Sequence, residues 1–367
     1  MQRLFVSVGK YVQGAGELNT IGEYIRPLGS RVLIVGGKRG LEVTRAARRA
    51  SFARSGVTEF EELFGGECSA GEIERIAAVA AENNCTVIAV SGGGKAIDAV
   101  KMAAEKLGAA CVIIPTTASN DAPCSALSVL YNDDGTHSGL HALRKNPDVV
   151  LVDSEIIAAA PVRYLAAGMG DALATWYEAK CAYASHSLTV HGGGVSRAGL
   201  ALARMCRDTI WENGEKAMAD CKTNTVSEEL ENIVEANTLL SGLGFENCGV
   251  GLAHALSETL TEIPAVHSFL HGETVAFGLL AHMLAAAEPE SEVRAAAELL
   301  HKLGLPVCLA DLHCAAGPAL QTAAARAAAP DRPSHSLKRG ITAEEIYSAI
   351  LQADSIGREV KAAAGNF

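Results

Sequence analysis

The sequence predicts an α/β dinucleotide-binding domain with a parallel, Rossmann-like sheet over residues 1–160 and an all-α domain over residues 161–367. In the first part, short β-branched runs alternate with amphipathic stretches, whereas Ala-, Leu- and Glu-rich segments of helical period fill the second part. The length of 367 residues also exceeds what one hydrophobic core usually organises, so two domains are expected.

The elements of the first domain alternate between buried strands and helices, as in βαβ units of a parallel sheet. The predicted strands are Arg31–Gly36, Thr86–Ser91, Ala110–Pro115 and Val149–Asp153. The predicted helices are Leu41–Ser55, Gly71–Asn83 and Lys95–Leu107. In the second domain the helical segments are Val162–Ala184, Glu228–Gly242, Thr274–Ala287 and Thr342–Ala353.

Composition excludes several classes of protein. Hydrophobic residues make up 49% and charged residues 20%, which is typical of a globular chain and not of a disordered one. The net charge of −11, without a basic run interleaved with aromatics, argues against nucleic acid as a partner. No apolar run reaches the roughly 20 residues of a membrane helix and the start lacks a signal-peptide pattern, so we expect a cytoplasmic protein. Ten scattered cysteines without a CxxC pair predict reduced, mostly buried thiols.

A glycine-rich turn follows the second predicted strand and opens a helix. Gly92, Gly93 and Gly94 would let the backbone approach a pyrophosphate, and the helix N-terminus would supply N–H donors and partial positive charge. The segment matches neither a Walker A loop nor G-x-G-x-x-G, because Ala96 and Ile97 stand where those motifs need Ser or Thr and glycine. The glycines and the helix N-terminus nevertheless predict a dinucleotide site, with a plain strand-to-helix turn as the alternative.

A second polar turn, residues 116–123, follows the strand Ala110–Pro115 with hydroxyl, amide and carboxylate side chains. The carboxyl ends of neighbouring parallel strands flank the crevice where open α/β sheets bind ligands. The turn is therefore a second candidate for ligand contacts, with a solvated loop as the alternative.

One aspartate and a cluster of histidines form a candidate metal site. Asp171 lies in a small, apolar helical setting, where it is either a helix cap or a ligand. His254 lies on an apolar helix, and His267 and His271 follow at i, i+4 spacing. A lone histidine in such a place is usually a packing residue, but three within residues 254–271 favour metal. Aspartate with two imidazoles suits Zn²⁺ or Fe²⁺ and leaves a position open for substrate oxygen, which indicates a catalytic site.

The remaining histidines lack a comparable context and are interpreted as surface or packing residues. They are His137, His141, His186, His191, His282, His301, His313 and His335.

Several long segments carry a family resemblance in the same chain order. These are residues 9–14, 64–69, 92–98, 115–129, 166–178 and 271–278. Through them the chain resembles the glycerol dehydrogenases of the iron-containing alcohol dehydrogenase superfamily, over nearly its whole length. The resemblance implies the two-domain fold shared with dehydroquinate synthase and the reversible oxidation of glycerol and related vicinal diols, such as 1,2-propanediol, to hydroxyketones. It also implies NAD and zinc as cofactors and a homo-oligomer, often an octamer.

The resemblance also assigns residues. It implies a metal bound by Asp171, His254 and His271 and a substrate contact at Asp121. The implied dinucleotide contacts are Gly93, Gly94, Asp98, Thr116, Thr117, Ser119, Ser125, Leu127 and Tyr131.

Two positions depart from the pattern. Iron-type relatives carry a histidine ligand one helical turn after the aspartate, where this chain has Thr175, so zinc is favoured over Fe²⁺. The aspartate that usually holds the adenosine ribose is replaced by Gly37, and Lys38 and Arg39 follow, so NADP is expected to be accepted as well as NAD.

We therefore expect oxidation of the C2 hydroxyl of glycerol beside the metal, with hydride passing to the nicotinamide. Asp121 is expected to hold a neighbouring hydroxyl or relay the proton, and His267 is a candidate partner of a ligand. One rival is a lyase of the dehydroquinate-synthase type, which needs Lys or Arg near the metal, yet residues 166–178 and 249–273 contain none. Other rivals are a dehydrogenase of 2-hydroxy or 2-oxo acids and a non-catalytic nucleotide-binding protein, which the intact ligand set disfavours.

Overall fold

The computed structural model describes residues 2–337 and 340–365. Contacts within the chain define two compact units. The sheet unit comprises Val6–Pro161 and Ala219–Gly242, and the helical unit comprises Met1–Phe5, Val162–Met218 and Leu243–Phe367. Within the described ranges, none of the helices combines the length and apolar character needed to span a membrane. All ten cysteines are free thiols and eight are buried, as predicted.

The sheet unit is built on six parallel strands in the order β1–β8–β5–β4–β2–β3. These strands are β1 (Tyr11–Gly14), β2 (Arg31–Gly36), β3 (Thr58–Leu63), β4 (Val87–Gly92), β5 (Ala110–Pro115) and β8 (Val149–Asp153). A separate antiparallel hairpin is formed by β6 (Leu127–Tyr131) and β7 (His137–Ala142). The helices of this unit are α1 (Ile21–Ile25), α2 (Lys38–Ser55), α3 (Ala70–Glu82), α4 (Gly94–Leu107), α5 (Ser154–Ala158) and α8 (Glu228–Glu235).

The predicted parallel sheet is confirmed, and its centre follows the predicted strands closely. Strands β2, β5 and β8 have the predicted bounds, and β4 begins one residue later than predicted. Most side chains of these strands are apolar and buried, because both faces of a parallel sheet are covered. The last residue of β2 and the first turn of α2 both pack tightly on β4, since a Cβ on Gly36 or on Gly40 would lie 2.3 Å from the carbonyl oxygen of Ser91.

Strand β3 was not predicted, because its sequence carries acidic residues where a buried strand would be apolar. Glu59 and Glu61 form ion pairs with Arg48 of α2 at 2.7 and 2.8 Å. The Arg48 side chain is fully buried, so these two carboxylates neutralise a charge that the interior could not otherwise hold. An edge strand is thus fixed by ion pairs with a helix instead of by an apolar face.

The helical unit contains eight α-helices among the described residues, with two glycine-mediated contacts at its centre. They are α6 (Val162–Ala184), α7 (Arg197–Lys222), α9 (Ser241–Cys248), α10 (Leu252–Leu260), α11 (His271–Ala285), α12 (Glu290–Lys302), α13 (Pro318–Ala327) and α14 (Ala343–Ala364). A Cβ on Gly272 of α11 would lie 1.8 Å from the Ala167 carbonyl oxygen of α6, and one on Gly278 would lie 2.6 Å from the Ala253 carbonyl oxygen of α10. Glycine at both positions lets α11 approach both neighbours at backbone distance.

The segment Ala219–Gly242, which begins in the last turn of α7, returns to the sheet unit. This differs from the continuous range 161–367 expected for the second domain. Gln13 of β1 donates to the Glu231 carbonyl oxygen at 2.9 Å, and Asn237 donates to the Ala118 carbonyl oxygen at 2.9 Å. The predicted helix Glu228–Gly242 is α8 followed by a π-helical turn, Ala236–Leu240, and then by α9. These polar side chains tie the segment to the sheet, and apolar periodicity does not reveal such contacts.

Candidate active site

A buried carboxylate lies on α6 of the helical unit. Asp171 of α6 is 1% exposed, and neither of its carboxylate oxygens has a hydrogen-bond partner among the described residues. The Nε2 atoms of His254 and His271 each lie 3.3 Å from Asp171 Oδ1. Potential ligand atoms of the three residues lie within 4.8 Å of one another. A carboxylate left without donors in the interior needs a cation, and this donor set suits a divalent transition metal.

The pKa shifts of Asp171 and His254 also indicate a site that favours positive charge. Burial raises the pKa of Asp171, but the charges of His271 and His254 outweigh it and hold the pKa well below its ordinary value. Burial lowers the pKa of His254, yet Glu178 and Asp171 reverse the effect and raise the pKa well above its ordinary value. A proton and a metal ion would therefore compete for the Nε2 atoms that face Asp171.

Two side chains that sequence analysis missed contact the histidines at Nδ1, the ring nitrogen that does not face Asp171. Glu178 Oε2 lies 2.6 Å from His254 Nδ1, and Ser257 Oγ lies 3.3 Å from His271 Nδ1. The pKa of Glu178 is lowered, because the charge of His254 and its hydrogen bonds outweigh the burial that would raise it. An ionised carboxylate can only accept, so we assign a proton to His254 Nδ1, and a metal ion beside Asp171 would take the place of any proton on Nε2. The signal in the sequence was the spacing of seven residues between Asp171 and Glu178, two turns along one helix face.

The structure places other candidates outside this group. His267 is exposed in the segment before α11, four residues from His271, and is not part of the cluster. Thr175, one turn after Asp171, is fully buried, and its methyl group lies against Gly244, where an added Cβ would come within 2.6 Å. His282 is buried with Nε2 3.2 Å from the Tyr177 carbonyl oxygen, as expected for a packing residue.

The predicted dinucleotide residues follow three adjacent strands of the sheet unit. Gly37 follows β2 and is exposed, Gly93 and Gly94 follow β4, and the run beginning at Thr116 follows β5. Gly93 is the N-cap of α4 without a side-chain cap, so the first N–H groups of that helix are available to a ligand. A Cβ on Gly94 would lie 2.7 Å from Asn120 Nδ2, which shows how closely the two turns approach.

The turn after β5 is held by its own contacts and by the returning segment. Thr117 Oγ1 lies 3.2 Å from Ser119 Oγ, and Ser241 Oγ donates to Asp121 Oδ2 at 3.0 Å. The candidate substrate contact Asp121 is thus fixed by the residue that begins α9.

The other predicted cofactor residues lie around a buried ion pair. Asp98 lies 2.8 Å from Lys101 Nζ and accepts a hydrogen bond from the Val129 N–H at 3.1 Å. Lys101 also donates to the carbonyl oxygens of Ala122, Ser125 and Leu127. The structure therefore gives Asp98 a role in fixing this loop and the hairpin, and its cofactor contact remains a prediction. Ser125 is buried, Leu127 begins β6, and Tyr131 ends it with Lys95 Nζ 5.1 Å from its ring centroid.

Comparisons with known proteins give a consistent result. The profile of the iron-containing alcohol dehydrogenase family matches residues 9–154. A glycerol dehydrogenase of Escherichia coli O6:H1 is 44% identical over 98% of this chain and 98% of its own length. A crystal structure of glycerol dehydrogenase from Schizosaccharomyces pombe superposes with a TM-score of 0.94 at 33% identity, covering 99% of this chain and 93% of that one. A probable glycerol dehydrogenase from Sinorhizobium meliloti 1021 superposes with a TM-score of 0.91 at 38% identity, covering 97% and 99%.

Proposed function

The chain belongs to the iron-containing alcohol dehydrogenase family, and on this basis we propose that it is a metal-dependent, NAD-linked glycerol dehydrogenase. The substrate is glycerol or a related vicinal diol, which is oxidised reversibly to the hydroxyketone. One observation carries the proposal: the buried carboxylate of Asp171 has no hydrogen-bond donor and is faced by two imidazole nitrogens at 3.3 Å. Full-length similarity to glycerol dehydrogenases supports the choice of substrate.

Asp171, His254 and His271 would hold the metal. A divalent cation held there would lower the pKa of a substrate hydroxyl, and a bound nicotinamide would supply the hydride acceptor. The side chain of His271 is 46% exposed, so the cluster is accessible to a small polyol on that side. Asp121 would accept a hydrogen bond from a neighbouring hydroxyl, with Ser241 fixing its carboxylate. Positioning and charge stabilisation are the contributions of these side chains to the rate.

The sheet unit would hold the dinucleotide by its pyrophosphate at the N-terminus of α4. Gly93 and Gly94 have no side chains that would block the approach of the pyrophosphate. Hydroxyl groups at the end of the neighbouring strand would come from Thr116, Thr117 and Ser119. NADP is proposed as a second cofactor because Gly37 carries no carboxylate to repel a 2′-phosphate.

Zinc is the proposed metal, in preference to Fe²⁺. Three protein ligands with one open position are the usual arrangement of catalytic zinc. The buried threonine at position 175 offers no imidazole for a fourth protein ligand.

A cytoplasmic homo-oligomer is proposed as the working form. The ten free thiols fit a reducing compartment. The octamer follows from the family resemblance, and light scattering of the purified protein would measure it.

Metal analysis combined with rate measurements tests the proposed function. We expect NAD reduction with glycerol, 1,2-propanediol or 2,3-butanediol to require bound metal and to exceed the rate with 2-hydroxy acids. His271→Ala should lose metal and lower kcat by roughly 100-fold or more. His301→Ala serves as the matched control, because His301 lies on α12 and is not part of the cluster. An unchanged rate and metal content in His271→Ala would contradict the assignment.

A further inference from the structure

Glu178 has no assigned function, yet it is the closest polar neighbour of one candidate ligand. It lies on α6 two turns after Asp171 and is fully buried. Burying a carboxylate is costly unless it is paired and hydrogen-bonded. The contacts that compensate for its burial therefore indicate what it does.

Glu178 holds His254 at two points. Its Oε2 accepts from His254 Nδ1 at 2.6 Å, and its Oε1 accepts from the His254 backbone N–H at 3.1 Å. That N–H lies in the first turn of α10, whose N-cap Gly251 provides no side-chain cap. A carboxylate there satisfies an otherwise unpaired N–H and interacts favourably with the helix dipole. One side chain thus fixes both the main chain and the ring of His254.

The packing leaves this carboxylate little freedom. A Cβ on Gly251 would lie 3.2 Å from both Glu178 Cγ and His282 Cε1, which is tighter than an ordinary contact. Glu178 is therefore enclosed by the turn before α10 and by His282. With Glu178 held in this way, the ring of His254 has one orientation, in which Nε2 faces Asp171.

We propose that Glu178 is a positioning residue that orients His254 and strengthens its Nε2 as a metal ligand. This proposal rests on the metal site of the proposed function. A carboxylate on the far nitrogen of a ligating imidazole fixes its tautomer and makes the ligand more basic. Glu178 contacts neither metal nor substrate in this role, so it should act through metal affinity and not through cofactor binding.

The test compares Glu178→Gln and Glu178→Leu with a matched control, Glu246→Gln. Glu246 is also fully buried and also pairs with a histidine, His191, at 2.9 Å, but His191 is not one of the three candidate ligands. Zinc affinity is measured by chelator competition, and the visible spectrum of the cobalt-loaded protein reports ligand geometry. Thermal unfolding of the metal-free proteins shows which variants fold.

Glu178→Gln keeps an acceptor without the charge and should weaken zinc binding about 10-fold, while Glu178→Leu should weaken it by about 100-fold. Both should alter the cobalt spectrum and leave NAD affinity unchanged, and Glu246→Gln should bind zinc as the wild type does. Should Glu178→Leu fail to fold, Glu178→Gln carries the test. Wild-type affinity and spectrum in Glu178→Gln would overturn this proposal alone. A wild-type protein that binds neither ion would overturn the proposed function and this proposal with it.

Discussion

Gly272→Ala should disturb the metal site without changing any ligand. Gly272 follows His271 directly, and a Cβ there would lie 1.8 Å from the Ala167 carbonyl oxygen. Carbon atoms essentially never come within 3.0 Å of such an atom, so α11 and α6 must separate locally by about 1 Å. The obstacle is backbone, which cannot move aside as a flexible side chain could.

The separation acts on the two helices that carry His271 and Asp171. Metal–ligand distances tolerate deviations of about 0.2 Å, so a shift of about 1 Å exceeds the tolerance several-fold. We expect zinc affinity to fall by roughly 100-fold and kcat to fall with it. Overpacking at one position typically costs about 1–3 kcal/mol of unfolding free energy, so the fold itself should persist.

Chelator competition and denaturant unfolding of the metal-free protein measure these two effects separately. Gly71→Ala is the control, because Gly71 lies on α3 and an added Cβ would meet no atom closer than 3.9 Å. That substitution should leave metal affinity unchanged and alter stability by less than about 1 kcal/mol. If Gly272→Ala bound zinc as tightly as Gly71→Ala does, close helix approach would not be what brings the ligands together.

Three further predictions concern the sheet unit. Asp121→Ala should lower turnover more than NAD affinity, because Asp121 is proposed to contact the substrate and not the cofactor. A tenfold loss of NAD binding with normal turnover would assign it to the cofactor instead. Gly37→Asp should raise the kcat/KM ratio of NAD to NADP by about 5-fold, since one ribose contact is worth about 1 kcal/mol and an added Cβ meets nothing within 4 Å. A wild-type enzyme that already rejects NADP by more than about 1,000-fold would refute this. Burial raises the pKa of Glu61, but hydrogen bonds from Arg45 and Arg48 outweigh it and the net pKa is lowered. The resulting stabilisation is present above the ordinary value of 4.5 and lost as pH falls through the folded pKa. Glu61→Gln should therefore destabilise the metal-free protein at pH 7, with the difference from wild type shrinking below pH 4.5. A pH-independent difference would contradict the reasoning.

The central sheet was predictable because short runs of apolar, β-branched residues are typical of buried strands. Strand β3 was not, because Glu59 and Glu61 acquire their partner Arg48 only in the folded chain. Sequence patterns report which residues avoid water, and they do not report which charges meet.

The candidate site also contains contacts that sequence patterns do not report. His254 and His271 stood out by residue type and proximity in the sequence. Glu178 did not, because its contact with His254 spans 76 residues. Asp98 carried an expected cofactor role, but its contacts with Lys101 and Val129 depend on where the β6–β7 hairpin packs. Side chains that orient other side chains are found only once the fold is known.

The return of Ala219–Gly242 to the sheet unit has a consequence for synthesis of the chain. Tyr11 on the edge strand β1 bonds Thr238 across 227 residues, and Ala118 in the turn after β5 accepts from Asn237 across 119 residues. While the ribosome has delivered only the first 160 residues, neither partner exists. The edge strand β1 and the turn after β5 therefore acquire these partners only after residue 242 has emerged, when α6 and α7 are already outside. A truncated protein ending near residue 160 would leave these groups without their partners, so the sheet unit is not a fragment that can be cut from the chain at one point.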